Sequence, residues 1–492
     1  MKRSLLKILI VLCSSSIHSQ IKVPENRLDY HLSWDGKSTL LEIDLLFNSN
    51  GKDSTVFIFG QPTPGSQPKI FERLSNLHTD SLDFVETQPD ERKIIVHHKS
   101  NGLKRFHYTI NCELIINVKS ALGNEAFMPT IAPGFLYTLG YQLFLQTPDK
   151  TYTDVGVVWD TWPEDMPYVV STNPEAKPNE MQLLPLDQNY TNTFMLQMGH
   201  HLSINKYAVK GIPNYLITSK SDTGTLPKQM IPFLKNFIPQ VRDFWHDYDA
   251  PFYILSAIPL RNKVESTMTG MGLKNGFSIR YNGPLDIEKI QLIAHEISHN
   301  WIGIRLRYES KGAENNWFNE GLNDYIAVYN LARTGLFDNE AFLSHMNKQN
   351  LAPHYKSPVG NLPGDSIAAH ANDNDLYQKI PYQRGLIYAF YLDNQIRLAS
   401  NGKKTIRDFL LDLYTQNKAN NSRAITIEDF TKAIKPFLSE DIVAMEIQKY
   451  MLNGDLIDFN KVTLIDAFTI KYIEEVPVLS LSPGTDLKKI YR

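Results

Sequence analysis

The fold of this chain is decided by residues 291–325, which read QLIAHEISHNWIGIRLRYESKGAENNWFNEGLNDY. His295 and His299 are four residues apart, so on a helix they lie on one face, one turn from each other. Asp286 can cap the start of that helix, and Gly303 can end it. Apolar residues recur between them at intervals of three and four, namely Ile287, Ile290, Ala294, Ile297 and Trp301. The pattern predicts a helix that is buried on one side and holds two imidazoles in fixed positions.

Nearby acidic residues complete a metal site of the catalytic kind. Two neutral imidazoles and one carboxylate are a common ligand set for catalytic zinc, which keeps a fourth position open for water. Glu320 is the candidate carboxylate, at the start of a second helical pattern that Gly335 closes. Asp324 lies one turn further and can accept the N–H of a ligating histidine, which fixes its tautomer. Glu296 projects to the side, where it can take a proton from the attacking water and pass it to the leaving amine.

The same residues allow a plainer interpretation. An HExxH pattern arises by chance on many helices, where the two histidines are simply packed or exposed. Asp324 can equally be an ordinary solvated carboxylate. The helical spacing of Glu320 and Asp324 on a following apolar helix favours the zinc site.

Two motifs resemble those of a known group of enzymes. HEISH followed by WFNEG resembles the gluzincin metallopeptidases, in which HExxH and a downstream glutamate bind one zinc ion. Residues 300–319, twenty in number, separate His299 from Glu320, slightly more than in the family pattern. The segment LYQKIPYQRG, residues 376–385, is similar to the Tyr-x-Lys-Gly context of gluzincin aminopeptidases, with Arg384 in place of the lysine. This resemblance implies that Tyr382 donates a hydrogen bond to the oxyanion of the tetrahedral intermediate. The alternative is a buried tyrosine on a helix.

Within this group the chain is similar to the glycyl aminopeptidase family, and more distantly to the leukotriene A4 hydrolase and aminopeptidase N type. The likeness is carried by DYIAVYNLARTGLFDNEAFLSHM, residues 324–346, and TGMGLKNGFSI, residues 269–279. It implies a thermolysin-like catalytic domain, and the PDZ-like module often appended in that family is not recognisable here.

The 269–279 segment departs from the family at one position. Aminopeptidases of the group hold the free amine of the substrate with a glutamate in this strand, where the alignment places Lys274. A lysine would repel an ammonium group. Three acidic residues are candidates to replace that glutamate: Glu265, Glu309 and Glu314. Gly272 would let the backbone approach a peptide closely, unless the glycines mark a plain flexible turn. Gly272, Lys274 and Arg384 are thus the candidate substrate-binding residues.

The start of the chain predicts export. Residues 1–20 combine the basic residues Lys2, Arg3 and Lys7 with a short apolar run and small polar residues, the pattern of a secretory signal peptide. Cys13 raises the alternative of a lipoprotein, but the bulky Leu12 before it argues against a lipobox. We expect a periplasmic or extracellular protein. Only Cys112 remains in the mature chain, so no internal disulfide can form, and its strand pattern predicts a small packed residue.

The rest of the chain predicts a multidomain α+β protein. We expect an antiparallel β-rich domain over residues 21–220, the catalytic domain over 221–380, a helical domain over 381–475 and a tail over 476–492. Pro232 and Pro239 should interrupt the helical pattern between residues 225 and 247. Residues 340–375 are rich in Pro, Gly, Asn and Asp and predict loops, with His354 and His370 at the surface.

Composition limits the partners. The formal charge is −3, and removal of the basic signal makes the mature chain more acidic. This balance argues against nucleic acid, and no apolar run after the signal reaches the length of a bilayer span. The sequence therefore predicts an exported zinc metallopeptidase that acts on peptides or proteins, holds one Zn²⁺ and is aminopeptidase-like. Two alternatives stay open: a zinc hydrolase of a non-peptide amide or ester, and a catalytically silent peptide-binding protein.

Overall fold

The computed structural model describes residues 22–59, 70–80, 82–113, 128–187, 191, 194–220, 225–260, 268–309, 316–371, 373–419 and 423–492. The predicted signal peptide, Glu265 and Glu314 lie outside these residues.

The first part of the chain is built from short strands. They are β1 (Arg27–Ser33), β2 (Leu40–Asn48), β3 (Ser54–Phe59), β4 (Leu74–Thr79), β5 (Phe84–Gln88), β6 (Lys93–His97), β7 (Leu103–Asn111), β8 (Thr130–Ala132), β9 (Phe135–Leu139), β10 (Leu145–Gln146), β11 (Asp154–Thr161), β12 (Tyr168–Val170), β13 (Gln182–Pro185) and β14 (Met195–Gly199). The described strands form a six-stranded sheet in the order β13-β11-β1-β2-β7-β4 and two four-stranded sheets, β10-β3-β6-β5 and β12-β14-β9-β8. The predicted alternation is observed, since Leu28, Tyr30 and Leu32 of β1 are fully buried. The domain is not purely antiparallel, because β1 pairs in parallel with β11.

The central sheet positions the functional site. Its strands are β15 (Leu202–Val209), β16 (Ile212–Ser219), β17 (Tyr253–Pro259), β18 (Met268–Leu273) and β19 (Gly276–Tyr281), in the order β15-β16-β17-β19-β18. This sheet is mixed, and β18 lies at its edge. Helices α1 (Thr225–Trp245) and α2 (Ile287–Ser298) follow β16 and β19. The prediction that Pro232 and Pro239 interrupt the first helix was wrong, because both lie inside α1.

Helices dominate the remainder of the chain. A π-helical turn, Trp317–Leu322, leads into α3 (Asn323–Thr334), which ends at Gly335 in a left-handed conformation as predicted. The later helices are α4 (Asn339–Ser344), a π-helical segment His345–Leu351, α5 (Ala352–Lys356), α6 (Gly364–Ala369), α7 (Asp375–Ala399), α8 (Ile406–Ala419), α9 (Ile427–Ile434), α10 (Glu440–Glu446) and a π-helical turn Ile447–Leu452. A hairpin of β20 (Phe468–Ile473) and β21 (Val476–Leu481) and the short α11 (Leu487–Ile490) complete the described chain.

Three expectations for this region differ from the structure. Residues 340–375 were expected to be loops, yet much of this stretch is helical. His354 is buried, whereas His370 is at the surface and pairs with Asp373. The segment 476–492, which we expected to be a tail, is packed against the core, since Tyr491 is fully buried against Tyr329.

Packing continues across the predicted boundary at residue 380. One hydrophobic cluster extends from Val209 to Tyr491, and a second lies within the β-rich part, from Leu28 to Met198. Cys112 is buried in the second cluster, as predicted. The predicted mixed α+β architecture is confirmed. None of the described helices is long and apolar enough to cross a bilayer.

Candidate metal centre

Helix α2 presents the two histidines of the HExxH motif on one face. Its start is fixed by Asp286, whose side chain accepts a hydrogen bond from the backbone N–H of Lys289. The imidazole ring centroids of His295 and His299 are 4.5 Å apart, and the rings are perpendicular. The other face of the helix packs into the core, where Ala294 and Ile297 are fully buried. The imidazoles are therefore held by a capped helix with a packed underside.

The orientation of each ring is set by a bond at Nδ1. Nδ1 of His295 lies 2.7 Å from Oδ1 of Asp324, and Nδ1 of His299 lies 3.1 Å from the carbonyl oxygen of Ile302. Both partners are acceptors, so each Nδ1 carries the proton and each Nε2 keeps a free lone pair. Both Nε2 atoms can thus act as metal ligands.

Glu320 brings a carboxylate to the same point. Its Oε2 is 3.2 Å from Nε2 of His295 and 3.4 Å from Nε2 of His299. Ligands about 2.0–2.1 Å from a zinc ion in tetrahedral geometry would be about 3.3 Å apart. Ligand atoms of all three residues lie within 4.8 Å of one another. The spacing and the His₂Glu donor set both fit zinc.

The electrostatics of the three ligands agree with this fit. Burial alone would raise the pKa of the Glu320 carboxyl, but the two histidines outweigh burial and lower it. Burial alone would lower the pKa of His295, but Asp324 and then Glu320 outweigh it and raise it. The carboxylates of Asp324 and Glu320 therefore face the imidazoles and stabilise positive charge at the point where the ligands converge.

A close crossing of two helices positions Glu320. The carboxylate lies in the π-helical turn Trp317–Leu322, a geometry that often occurs at functional sites. There Gly321 meets Gly385 of α7, and a Cβ added to Gly385 would lie 2.1 Å from the carbonyl oxygen of Trp317. Only glycine fits at this contact. It brings Glu320 and the start of α7, which carries Tyr382, to the same side of the metal centre.

Glu296 lies beside the ligands. It is buried, with 7% of its surface exposed. Burial raises the pKa of its carboxyl, and the neighbouring histidines oppose that shift. The edge strand passes directly over it, because a Cβ added to Gly270 would lie 2.7 Å from Oε1 of Glu296. A carboxylate with a raised pKa next to a metal centre is suited to accept and return a proton.

Tyr382 of α7 covers the other side of the centre. Its ring stacks on the His295 imidazole, with centroids 6.0 Å apart and planes 23° from parallel. Burial, and then the charge of Glu320, raise the pKa of its phenol, which therefore remains a hydrogen-bond donor. The structure thus brings His295, His299, Glu320, Glu296 and Tyr382 together.

The three candidate substrate-binding residues are placed differently. Gly272 lies over the centre, since a Cβ there would be 3.2 Å from Cβ of His299. Lys274 instead lines a separate cavity of about 480 Å³ that Asp247 and Tyr414 also line. The Arg384 guanidinium is buried and donates to three carbonyls, those of Met451, Gly360 and Leu362. The structure therefore brings neither Lys274 nor Arg384 to the metal centre. Glu309 pairs through its backbone N–H with the carbonyl of Ile425.

Sequence reasoning missed two residues that hold the first histidine in place. Nε2 of Gln291 donates to Oδ1 of Asp324 at 2.7 Å, the same oxygen that accepts from His295. Nδ2 of Asn323 donates to the backbone carbonyl of His295 at 3.0 Å. Gln291 is four residues before His295 and therefore on its helix face, a spacing that would have identified it.

The comparisons with known proteins agree with this geometry. Residues 285–450 match the model of the peptidase family M1 domain. This region is therefore similar to the peptidase family M1 domain. The predicted resemblance to peptidases of this kind is confirmed, whereas the narrower likeness to glycyl aminopeptidases remains a prediction.

Curated proteins named "Leucine aminopeptidase 2" are similar to part of this chain. The chain is 24% identical over 171 residues to "Leucine aminopeptidase 2" of Emericella nidulans. This match covers 33% of this chain and 25% of the Emericella protein. It is 24% identical over 165 residues to the protein of the same name from Ajellomyces capsulatus. This match covers 32% of this chain and 24% of the Ajellomyces protein. The chain therefore spans about a quarter of the length of these curated relatives.

Solved structures show the same fold over a longer stretch. A structure of an aminopeptidase N family protein from Idiomarina loihiensis matches this chain with a TM-score of 0.72 at 14% identity. The match covers 90% of this chain and 79% of the Idiomarina chain. Yeast LTA4 hydrolase, solved in complex with Bestatin, matches with a TM-score of 0.55 at 14% identity. This match covers 90% of this chain and 69% of the yeast chain. The fold shared with these structures thus extends well beyond residues 285–450.

Proposed function

We propose that this chain is an exported zinc metallopeptidase with aminopeptidase-like activity that hydrolyses peptide bonds in peptides or proteins. The observation that carries the proposal is the convergence of Glu320 Oε2 with the two Nε2 atoms at 3.2 and 3.4 Å. Glu296 and Tyr382 border that point from different elements. The described residues contain one such group of ligands, which supports one Zn²⁺ at this site.

Each residue has a distinct task. His295, His299 and Glu320 hold the zinc ion, which when bound polarises the scissile carbonyl and lowers the pKa of water. Glu296 takes the proton from the attacking water and passes it to the leaving amine. Tyr382 donates its O–H to the oxygen on which negative charge develops.

Strand β18 is suited to receive the substrate backbone. It is the edge of the five-stranded sheet, so its outer backbone groups can pair with a peptide in extended conformation. Gly270 and Gly272 place no side chain between that strand and the residues of α2. This arrangement supports a peptide substrate over a non-peptide ester, because a peptide can supply the matching backbone hydrogen bonds.

Export rests on residues 1–20 alone, which carry the signal-peptide pattern. Mass spectrometry of the mature N-terminus and fractionation of the producing cell test it. A mature protein that retains Met1 in the cytoplasm would contradict it.

The activity is tested with matched variants. Zinc-loaded protein is assayed on peptides with free and with blocked N-termini, before and after chelation. Glu296→Gln should keep its zinc and lose at least ~10²-fold in rate, whereas Glu440→Gln, at an exposed ion pair with Lys435, serves as the control. Cleavage of free but not blocked peptides supports aminopeptidase action. Bound zinc without turnover on either substrate contradicts the proposal and favours a binding protein.

A further inference from the structure

A cavity of about 370 Å³ opens directly beside the metal centre. Asp324 and Tyr382 line it, so it adjoins the residues that border the reacting atoms. Its other walls come from the first turns of α2, from the segment around His345 and from the start of α7. A substrate residue next to the scissile bond can therefore reach into it.

The start of α7 presents a cation to this cavity. The cavity is lined there by Lys379, Tyr382 and Gln383. These residues share one face of the helix, because Tyr382 and Gln383 follow Lys379 by three and four residues. Nζ of Lys379 lies 5.5 Å from the centroid of the Tyr382 ring. Within the described part of the chain, no carboxylate lies within 4 Å of that ammonium group. Its charge is thus available to a ligand.

Two further polar side chains in this cavity lack partners. Gln383 has 8% of its surface exposed, and its amide makes no side-chain hydrogen bond to the described residues. Nε2 of His345 is buried and likewise has no hydrogen-bond partner there. Buried polar atoms are nearly always paired, so the unpaired Nε2 of His345 at the cavity wall indicates that a ligand or water completes it. The Gln383 amide is accessible from the cavity. An amide N–H and an ammonium together suit an anionic oxygen acceptor.

We propose that this cavity is a carboxylate-binding subsite, in which Lys379 and Gln383 recognise a carboxylate of the peptide on the side of the scissile bond that faces α7. The proposal rests on the proposed peptidase function and specifies its substrate. The carboxylate has two possible sources: an acidic side chain adjacent to the scissile bond, or the C-terminus of a short peptide.

Glu288 is the acidic residue of the cavity that does not border the metal centre. It lies on the exposed first turn of α2, seven residues before His295, or about 10 Å along the helix axis. Lys379 by contrast contacts the Tyr382 ring. The cation therefore lies on the Tyr382 side of the cavity, whereas Glu288 lies at the far end of α2 from the histidines.

The test compares peptides that differ in one charge. One pair is Leu-Glu-Ala amide against Leu-Gln-Ala amide, and the other is Leu-Ala with a free C-terminus against Leu-Ala amide. We expect kcat/KM to favour the carboxylate member of at least one pair by about tenfold. The pair that shows the preference identifies the source. Equal values within both pairs would overturn the proposal.

Variants assign the preference to the cavity. Lys379→Met removes the charge but keeps an unbranched side chain and should bring the ratio to about one, and Lys379→Glu should invert it. Lys432→Met, on the exposed side of α9, is the matched control and should keep the ratio. A ratio that survives Lys379→Met refutes the assignment. Because the readout is a ratio, a general loss of activity in a variant does not affect it.

Binding separates failure of this subsite from failure of the proposed activity. The same peptides are titrated by calorimetry into zinc-loaded Glu296→Gln protein, with and without Lys379→Met. If the carboxylate member of a pair binds more tightly, and Lys379→Met removes this difference in affinity, the subsite is supported even where no peptide is hydrolysed. Equal affinities within both pairs overturn it, whereas absent turnover of every peptide by the unmodified protein counts only against the peptidase.

Discussion

The contact between Gly321 and Gly385 offers a sharp test of how the metal centre is positioned. Replacement of Gly385 by alanine adds one methyl group, 2.1 Å from the carbonyl oxygen of Trp317 and 2.8 Å from Cα of Gly321. Carbon and oxygen atoms need roughly 3.2 Å, so the turn that carries Glu320 must move away from α7 by roughly 1 Å. The obstacle is backbone on both sides, so no side chain can rotate away to relieve it.

The expected magnitude follows from two opposing effects. Alanine is favoured over glycine in a helix by roughly 1 kcal/mol, which would stabilise the variant. Overpacking of a tight contact costs about 1–3 kcal/mol, so we expect net destabilisation of up to ~2 kcal/mol. A displacement of roughly 1 Å at a catalytic group can reduce a rate by about 10²-fold. Glu320 and Tyr382 move relative to each other here, so the fall in activity should exceed what the modest change in stability suggests.

The assay measures three quantities on one preparation: the free energy of unfolding in urea, zinc affinity by chelator competition, and kcat/KM. Gly364→Ala is the control, because the nearest atom to its added Cβ is 3.1 Å away and the position lies in the first turn of α6. We expect Gly385→Ala to lose zinc affinity and activity while it remains folded. Unchanged stability, zinc affinity and rate would show that the glycine contact does not position the ligand.

Three further predictions concern Tyr382, the pair Asp324 and Gln291, and the buried His354. Tyr382→Phe should keep zinc but reduce kcat by about 10²–10³-fold, because it removes one donor to the oxyanion; an unchanged kcat would exclude that role. Asp324→Asn should weaken zinc binding by about 10–100-fold, and Gln291→Met by less, since Gln291 acts only through Asp324; chelator competition measures both, and a larger effect of Gln291→Met would contradict this order. Burial, and then Arg384, lower the pKa of His354 to about 3, so only the unfolded chain takes up a proton on this residue as pH falls below about 6.5. Between pH 7 and pH 5 the free energy of unfolding of the unmodified protein should therefore fall by ~2 kcal/mol more than that of His354→Gln. Urea unfolding at both pH values measures this difference, and equal losses in the two proteins would refute the prediction.

Features set by local sequence could be predicted. The cap at Asp286, the pair His295 and His299, and the stop at Gly335 each depend on residues within one or two turns. Glu320 could be placed near the histidines because its own helix pattern starts there. Ile287 was assigned to the buried stripe but is 44% exposed, because it lines the cavity beside the metal centre.

Features set by distant packing could not be predicted. Residues 345–351 carry amide side chains that are typical of loops, but Asn347 bonds the backbone of Leu479 through both its amide nitrogen and its amide oxygen. A partner 132 residues away is invisible to a local pattern. The same holds for Pro232 and Pro239, since burial of Phe233, Phe237 and their neighbours in the core favours the helix despite the two prolines. Tertiary packing outweighs local propensity in both cases.

The placement of charge at the metal centre is also a tertiary property. Alternation along β18 directs Gly270 and Gly272 towards α2, and the strand ends at Leu273, before Lys274. The edge strand therefore brings only backbone to Glu296 and His299, and backbone cannot distinguish one substrate side chain from another. Charged recognition must come from elements that surround the strand, and Lys379 of α7 is the described cation that contacts Tyr382. It follows that side-chain preference can change through α7 without any change in the strand or the three ligands, which the Lys379→Glu variant tests directly.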